Sequence, residues 1–289
     1  MRFIRPFPLT GDSLGMASMP LWGNRTSIFA RRSDDKDSAS NRAVAAESKS
    51  ASLFSVAFTI GAQILVVILL FFCSQLDRQR ILMLLFWAFC FNVVLVWNWN
   101  PDPGFVSESM DVLTPEDKKL FHWCEVCQIW QPLRSKHCVR CERCVRKFDH
   151  HCVWIGGCVG ESNHLRFFLL LTVALMYLLF LFCSLFSCFN FHGHATVDAA
   201  IVRNIIPFLV LLICAFLTLF VFILFVMHAA ILLRNETMWE FSSRHRITYL
   251  SSRKGNPFNA GIFSNILFLF RRTPIDWRYV MQRNESELV

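Results

Sequence analysis

The sequence predicts an all-α polytopic membrane protein with four transmembrane helices. Three observations predict it. The 289 residues are 54% hydrophobic and 17% charged, against about 45–50% and about 25% in an ordinary soluble domain. The apolar residues, with 30 Phe and 9 Trp among them, are gathered into four runs. Each run approaches or exceeds the roughly 20 residues of helix that cross a bilayer core about 30 Å thick. The same figures exclude dominant disorder, which requires low hydrophobicity. With only 11 Gly and 10 Pro, a collagen-like chain is excluded as well.

Residues 1–51 are expected as a flexible tail, because Arg31–Ser52 mixes Ser, Ala and charges of both signs. Arg5, Pro6 and Pro8 break up the first ten residues, which do not read as a secretory signal. The first span is 52–73 and the second is 81–99; neither holds a charge. A long polar loop, 100–166, follows. The third span, 167–191, is also uncharged, and the fourth, 205–233, carries only His228. Residues 234–289 form a polar tail. Helices of a soluble core are amphipathic, whereas these four are apolar all round. No internal repeat is evident.

Orientation follows from the basic residues. The two tails and the central loop together hold 26 of the 29 Lys and Arg, and the connectors 74–80 and 192–204 hold the rest. The positive-inside rule places both termini and the central loop in the cytosol. The net charge of +8 is then a topology signal, and a nucleic-acid footprint is not needed to explain it.

Five of the 12 Cys (Cys73, Cys90, Cys183, Cys188, Cys214) lie in the apolar runs and read as small hydrophobes. The other seven fall between Cys124 and Cys158. Their pattern is Cys124-x2-Cys127-x9-His137-Cys138-x2-Cys141-x2-Cys144-x4-Asp149-His150-His151-Cys152-x5-Cys158. A cytosolic loop is reducing, which argues against disulfides. Cys-x2-Cys pairs beside His have zinc-ligand spacing. Two four-coordinate zinc ions would use eight of the ten Cys and His side chains, and spacing alone leaves open which two remain. Adjacency suggests a choice: Asp149, His150 and Cys152 put an orienting carboxylate, a base and a thiol within four residues. Such a base activates a thiol that is a weak nucleophile at neutral pH.

These residues resemble the DHHC protein S-acyltransferase family. The likeness covers Cys124 through Cys158, Asn163 and Phe167, and Asp102-Pro103-Gly104 after the second span. It extends to Asn256-Pro-Phe-Asn-Ala-Gly261-x3-Asn265 and to the order of spans, loop and tail. The resemblance implies two interleaved structural Zn2+ sites, one from Cys124, Cys127, His137 and Cys144, the other from Cys138, Cys141, His151 and Cys158. Together they make the loop a small zinc-bound subdomain. It further implies that Cys152 takes a long-chain acyl group from acyl-CoA, with His150 as base and Asp149 as its orienting group. The acyl group then passes to a juxtamembrane cysteine of a membrane-associated protein. Long-chain acyl-CoA, those protein substrates and the lipid bilayer are the expected partners, with no nucleic acid; the Golgi or endoplasmic reticulum is the family's usual place.

Further expectations attach to single residues. Trp154 fits an interfacial aromatic where the acyl chain enters, and Tyr177 fits a limit to its length. Arg134 and Lys136, from a basic cluster with Arg140, Arg143, Arg146 and Lys147, are expected to meet the cosubstrate's phosphates. His228 is expected to bond a helix end, and His192 and His194 to lie in a solvated loop. The chain departs from the family pattern at Val153, where Pro is usual, at Gly157 in place of Asn, and at Asn259 in place of Asp. It also departs at Met238, where a second Thr hydroxyl is usual and whose side chain donates no hydrogen bond. Asp149 is therefore expected to be less well anchored. Two rivals remain: a catalytically weak adaptor that uses the zinc module to bind partners, and a membrane-bound RING-type ubiquitin ligase, in which the Asp-His-His-Cys run has no role.

Overall fold

The structure is a computed structural model that describes residues 26–71, 77–109, 114–189, 197–253, 255–270, 275 and 277–286. The chain divides into two units, Met1–Ser40 and Asn41–Val289. The site lies wholly in the second.

Four helices are long and apolar enough to cross a membrane. They are α1 (Thr26–Phe71), α2 (Arg78–Trp97), α4 (His164–Phe186) and α5 (Val197–Leu233), with spans at Ser50–Leu70, Arg78–Trp97, His164–Phe186 and Asn204–Leu233. Between α2 and α4 lie the short α3 (Pro115–Leu120) and six strands. The span limits differ from expectation by a few residues for local reasons. Asp77 caps α2 by accepting the Arg80 N–H at 2.8 Å, so that helix begins before its apolar run. Helix α4 begins at His164, inside the expected loop. Residues 41–52, expected as part of a flexible tail, are helical and continuous with the first span. Ala, Arg, Glu and Lys propagate a helix well once the span has nucleated it. His192 and His194 lie outside the described residues.

Helix α4 is the most buried of the four and packs against both α2 and α5. Away from the loop, Leu84 and Ala88 of α2, Tyr177, Leu181 and Leu185 of α4 and Cys214 of α5 form one apolar core. At the loop end Leu95, Phe167, Leu170 and Leu171 form another, together with Ile155 and Val159 from the loop itself. Asn98, wholly buried, closes this end: its Nδ2 donates to the carbonyls of Val94 and Arg166.

The cysteine-rich loop is three antiparallel hairpins in succession: β1 (His122–Cys124) with β2 (Ile129–Gln131), β3 (Lys136–Cys138) with β4 (Arg143–Val145), and β5 (His150–Cys152) with β6 (Gly157–Val159). They repeat every 14 residues, which corrects the expectation of no repeat. The first strands end at Cys124, Cys138 and Cys152. The cross-strand pairs just before these are Trp123 with Trp130, His137 with Cys144, and His151 with Cys158. Each turn reverses through a left-handed residue at the same place, Gln128 (φ 55°), Glu142 (φ 53°) and Gly156 (φ 65°). At Gly160, just past β6, a Cβ would lie 2.6 Å from the Pro103 carbonyl and 2.7 Å from Val145, so the close approach of these segments requires glycine there.

After α5, the chain forms α6 (Met238–Ser243), a 3₁₀ turn (Arg244–Arg246), α7 (Thr248–Ser251), α8 (Ile262–Leu269) and α9 (Trp277–Ser286). Phe121 and Leu133 of the loop bury themselves with Leu250, Phe258, Trp277 and Met281 of this segment. The tail is thereby packed onto the module.

Candidate metal centres and active site

The hairpin repeat generates the metal-ligand pattern. The turn of one hairpin supplies two sulfurs, and the cross-strand pair of the next supplies one imidazole and one sulfur. Thus Cys124 and Cys127 meet His137 and Cys144, and Cys138 and Cys141 meet His151 and Cys158. In each group the four ligand atoms lie within 4.8 Å of one another. Nδ1 of His151 is 3.6, 3.3 and 3.6 Å from the sulfurs of Cys138, Cys141 and Cys158. Nδ1 of His137 is 3.3 Å from the Cys127 sulfur. Ligands on a tetrahedral zinc, at about 2.3 Å for sulfur and about 2.0–2.1 Å for nitrogen, stand roughly 3.5 Å apart. Both donor sets fit the ion, and three thiolates with one imidazole form a closed, structural site.

The third hairpin breaks the pattern where chemistry begins. Cys152 occupies the position of Cys124 and Cys138, but Ile155 stands where the second Cys of a turn would be, fully buried in the core at the helix ends. Cys152 is therefore a knuckle thiol without a partner thiol. It is half-buried against that same apolar cluster.

His150, two residues earlier on β5, has its Nδ1 2.6 Å from Asp149 Oδ2. Burial alone would lower the His150 pKa. The Asp149 carboxylate, helped by the nearby Cys152, outweighs burial and raises it to about 9. Burial would likewise raise the Asp149 carboxyl, but the imidazoles of His164 and His150 hold it well below the usual carboxylate range. The carboxylate is 1% exposed. Such a pair fixes the imidazole tautomer and favours the charged ring that forms when His150 accepts a proton from a thiol.

Asp149 is anchored from a direction that side-chain chemistry does not reveal. Its Oδ1 accepts the backbone N–H of Met238 at 2.7 Å. That bond does not depend on the side chain, so Asp149 keeps this anchor with Met in place of Thr. The amide is held in place by a capping box: Thr237 Oγ1 accepts from the Glu240 N–H, and Glu240 Oε2 accepts from the Thr237 N–H.

Arg134 corrects a further expectation. Expected to meet phosphate, it is 1% exposed. Its Nε and Nη2 donate to Glu240 at 2.7 and 2.6 Å, and Nη1 and Nη2 donate to Asn235. The guanidinium lies between the rings of Phe258 and Trp277, at 4.3 and 4.4 Å from their centroids. Its donors are committed to protein, and it locks the C-terminal segment to the module. Lys136 is more open, with its ammonium over Phe148 and Trp239. Trp154 is 48% exposed on the turn after Cys152. Tyr177 stacks on Phe91, within the core far from the loop.

Two neighbours of Asp149 went unread in the sequence. His164, at the start of α4, places Nε2 3.7 Å from Asp149 Oδ1. His228, near the end of α5, faces the rings of His150 and Phe167 instead of bonding the helix end as expected. A histidine at the loop-side end of each of these two spans was the available signal.

A thiol beside a carboxylate-oriented imidazole, set on a metal-ligand module at the end of four helices apolar enough to cross a membrane, defines a protein with a nucleophilic cysteine at the membrane-helix ends. Comparison with known proteins narrows the class. Residues 117–245 match the family model for DHHC palmitoyltransferase. Palmitoyltransferase ZDHHC12 of Mus musculus is 35% identical over 197 residues, covering 64% of this chain and 73% of that protein; the Homo sapiens protein of the same name is 34% identical, with the same coverage. A ZDHHC-type palmitoyltransferase of Dictyostelium discoideum is 41% identical over 166 residues, which are 55% of this chain but 37% of that longer protein. This chain belongs to the DHHC palmitoyltransferase family.

Proposed function

We propose that the chain is a protein S-acyltransferase working through an acyl-Cys152 thioester. His150 accepts the Cys152 thiol proton. The thiolate attacks the thioester carbonyl of a long-chain acyl-CoA, the new C–S bond forms as the bond to the CoA sulfur breaks, and CoA leaves as the thiol with the proton from His150. A cysteine thiol of a membrane-associated protein then gives its proton to His150 and attacks the acyl-enzyme, and as the acyl–Cys152 bond breaks Cys152 takes that proton back as the thiol. The single observation that carries this reading is the 2.6 Å Asp149–His150 bond, two residues before the Cys152 thiol on the same strand. The two zinc ions would hold the hairpins in place, and they lend no open coordination position to the reaction.

The apolar contacts of Cys152 support an acyl chain running from it between the helices, where each buried CH2 contributes about 0.8 kcal/mol. Tyr177 would bound that path, Trp154 would sit at the bilayer surface, and Lys136 would face the polar end of the cosubstrate. The bias of 26 in 29 basic residues supports both termini and the hairpin module being cytosolic. Golgi or endoplasmic reticulum membranes are the proposed location, by family likeness.

The test is to purify the protein with labelled acyl-CoA and look for a hydroxylamine-sensitive adduct. We expect it on the wild type and not on Cys152→Ser. A wild type without adduct would support the adaptor reading instead.

A further inference from the structure

Neither metal centre described above uses Asp149, His150 or His228, yet one ligand atom from each of these three lies within 4.8 Å of the other two. His228 is 3% exposed, and its Nδ1 is buried without a hydrogen-bond partner among the described residues. A neutral imidazole carries one donor and one acceptor nitrogen, and leaving one unmet in a buried site is costly. The ring stands 5.6 Å from that of His150, centroid to centroid. Asp149 Oδ1 is held by the Met238 N–H, and Oδ2 is the oxygen that meets His150 Nδ1. Two imidazoles and a carboxylate with a position left open form a donor set that takes first-row divalent metals. Zinc sites that are not purely structural keep such an open position.

We propose that Asp149, His150 and His228 form a third divalent-metal site, weaker than the two structural centres, and that Zn2+ bound there reversibly switches off acyl transfer. The proposal rests on the reading of Cys152 and His150 given above. The ion takes the place of the proton shared between His150 Nδ1 and Asp149 Oδ2, and that proton moves to Nε2, so the neutral ring has no lone pair left. Oxygen and nitrogen ligands about 2.0–2.1 Å from a tetrahedral ion stand roughly 3.3 Å apart. The pair, now at 2.6 Å, therefore opens by less than about 1 Å. The His150 side chain is 31% exposed, so an ion reaches the site from solvent without parting the helices. Once Nδ1 is on the metal, Asp149 no longer supports a charged His150 ring, and the Cys152 proton has no acceptor.

The experiment uses the full chain in detergent, loaded with its two structural zinc ions, over a series of buffered free Zn2+ concentrations. Bound zinc per chain is measured for the wild type, Cys152→Ser, His228→Ala and His228→Gln. The rate of acyl-adduct formation is measured for the wild type and the two His228 variants, each against its own rate at the lowest zinc. We expect a third ion on the wild type and on Cys152→Ser, with the wild-type rate falling as that ion binds and returning as free zinc is lowered. Both His228 variants should keep the two structural ions, take up the third only at roughly 100-fold higher free zinc, and need the same increase for inhibition, since losing even an outer-shell partner weakens metal binding about 10–100-fold. A wild type that stays at two ions overturns the proposal, as does a third ion bound equally by the His228 variants or inhibition unchanged in them. If no acyl adduct forms at all, the transferase reading fails, and zinc stoichiometry on Cys152→Ser still decides the metal site.

Discussion

Met238 donates its backbone N–H to Asp149 Oδ1 at 2.7 Å, across 89 residues of chain. The bond ties the group that orients His150 to the first turn of α6. Met238→Ala should therefore leave acyl-adduct formation nearly unchanged, whereas Met238→Pro deletes the donor. Proline is well suited to this first helical position, and Thr237 before it is already extended (φ −115°, ψ 160°), as a residue preceding proline must be. A hydrogen bond to a charged group contributes about 1.5–3 kcal/mol, so the rate should fall roughly 10–100-fold in Met238→Pro. Adduct rates for the two variants, at equal zinc content, check this; equal rates would sink it.

Arg134 and Glu240 form a bidentate pair with side chains that are 0% and 1% exposed. Breaking such a pair from one side costs about 3–5 kcal/mol, because the surviving charge is left buried. Glu240→Gln keeps an acceptor for the capping box but strands the guanidinium. Arg134→Lys loses the fork that meets both carboxylate oxygens and the flat face that lies between Phe258 and Trp277. Both variants should lower the thermal midpoint of the detergent-solubilised protein by several degrees. An unshifted midpoint for either would show that the pair does not lock the tail to the hairpins.

What could be read ahead from sequence follows the range of the physics involved. A bilayer demands an unbroken apolar run, so all four spans were visible to within a few residues, and Cys-x2-Cys spacing exposes metal ligands locally. The 14-residue hairpin repeat was hidden because Trp123 and Trp130 stand where the other hairpins have His and Cys, and Ile155 where they have Cys. Arg134 looked like part of a surface cluster because its counter-ion lies 106 residues away. The donor to Asp149 is a backbone amide, which any residue but proline supplies, so the residue type at position 238 gave no sign of it.

Lys147 is buried against Trp277 with its Nζ 2.9 Å from Asn235 Oδ1. Burial, assisted by the nearby Arg134, lowers its pKa to about 7 from an ordinary 10.5. Between those values the unfolded chain holds a proton that the folded chain has lost, so this group makes stability rise with pH across the window. Below about pH 7 both states are charged, and the cost of burying the ammonium is fully present. Lys147→Met should therefore stabilise the fold most near neutral pH and progressively less as pH rises. Asn235 Oδ1 keeps its bond from Arg134. Thermal midpoints of variant and wild type, measured across that window, should converge with rising pH; parallel curves would refute the assignment.

The two metal centres should differ in what they protect. Cys158 pairs across the strands with His151 on the hairpin that ends in Cys152, whereas Cys124 lies on the first hairpin. Cys124→Ala should reduce bound zinc from two ions to one or none and destabilise the loop. Cys158→Ala should also abolish the acyl-Cys152 adduct, because it removes the closure of the hairpin that presents the thiol. Zinc content and adduct yield on the same preparations test this. A Cys158→Ala protein that has lost zinc but still forms the adduct at wild-type yield would count against it.

Tyr177 is 6% exposed and stacks on Phe91 at 6.1 Å in the core away from the loop. Ten residues of helix from Phe167, which packs against His150, place it about 15 Å from the site at 1.5 Å per residue. An acyl chain extending from Cys152 along α4 would meet its ring. Replacing Tyr177 by Ala removes that ring and leaves room for further methylenes, each contributing about 0.8 kcal/mol, or roughly fourfold in affinity. The variant should shift preference toward longer acyl-CoA, with the balance between two chains differing by two carbons moving roughly 15-fold. Competition between acyl-CoA chain lengths for the adduct measures this directly. An unchanged profile in a variant that still forms the adduct would leave Tyr177 as a packing residue between α2 and α4 and place the chain elsewhere.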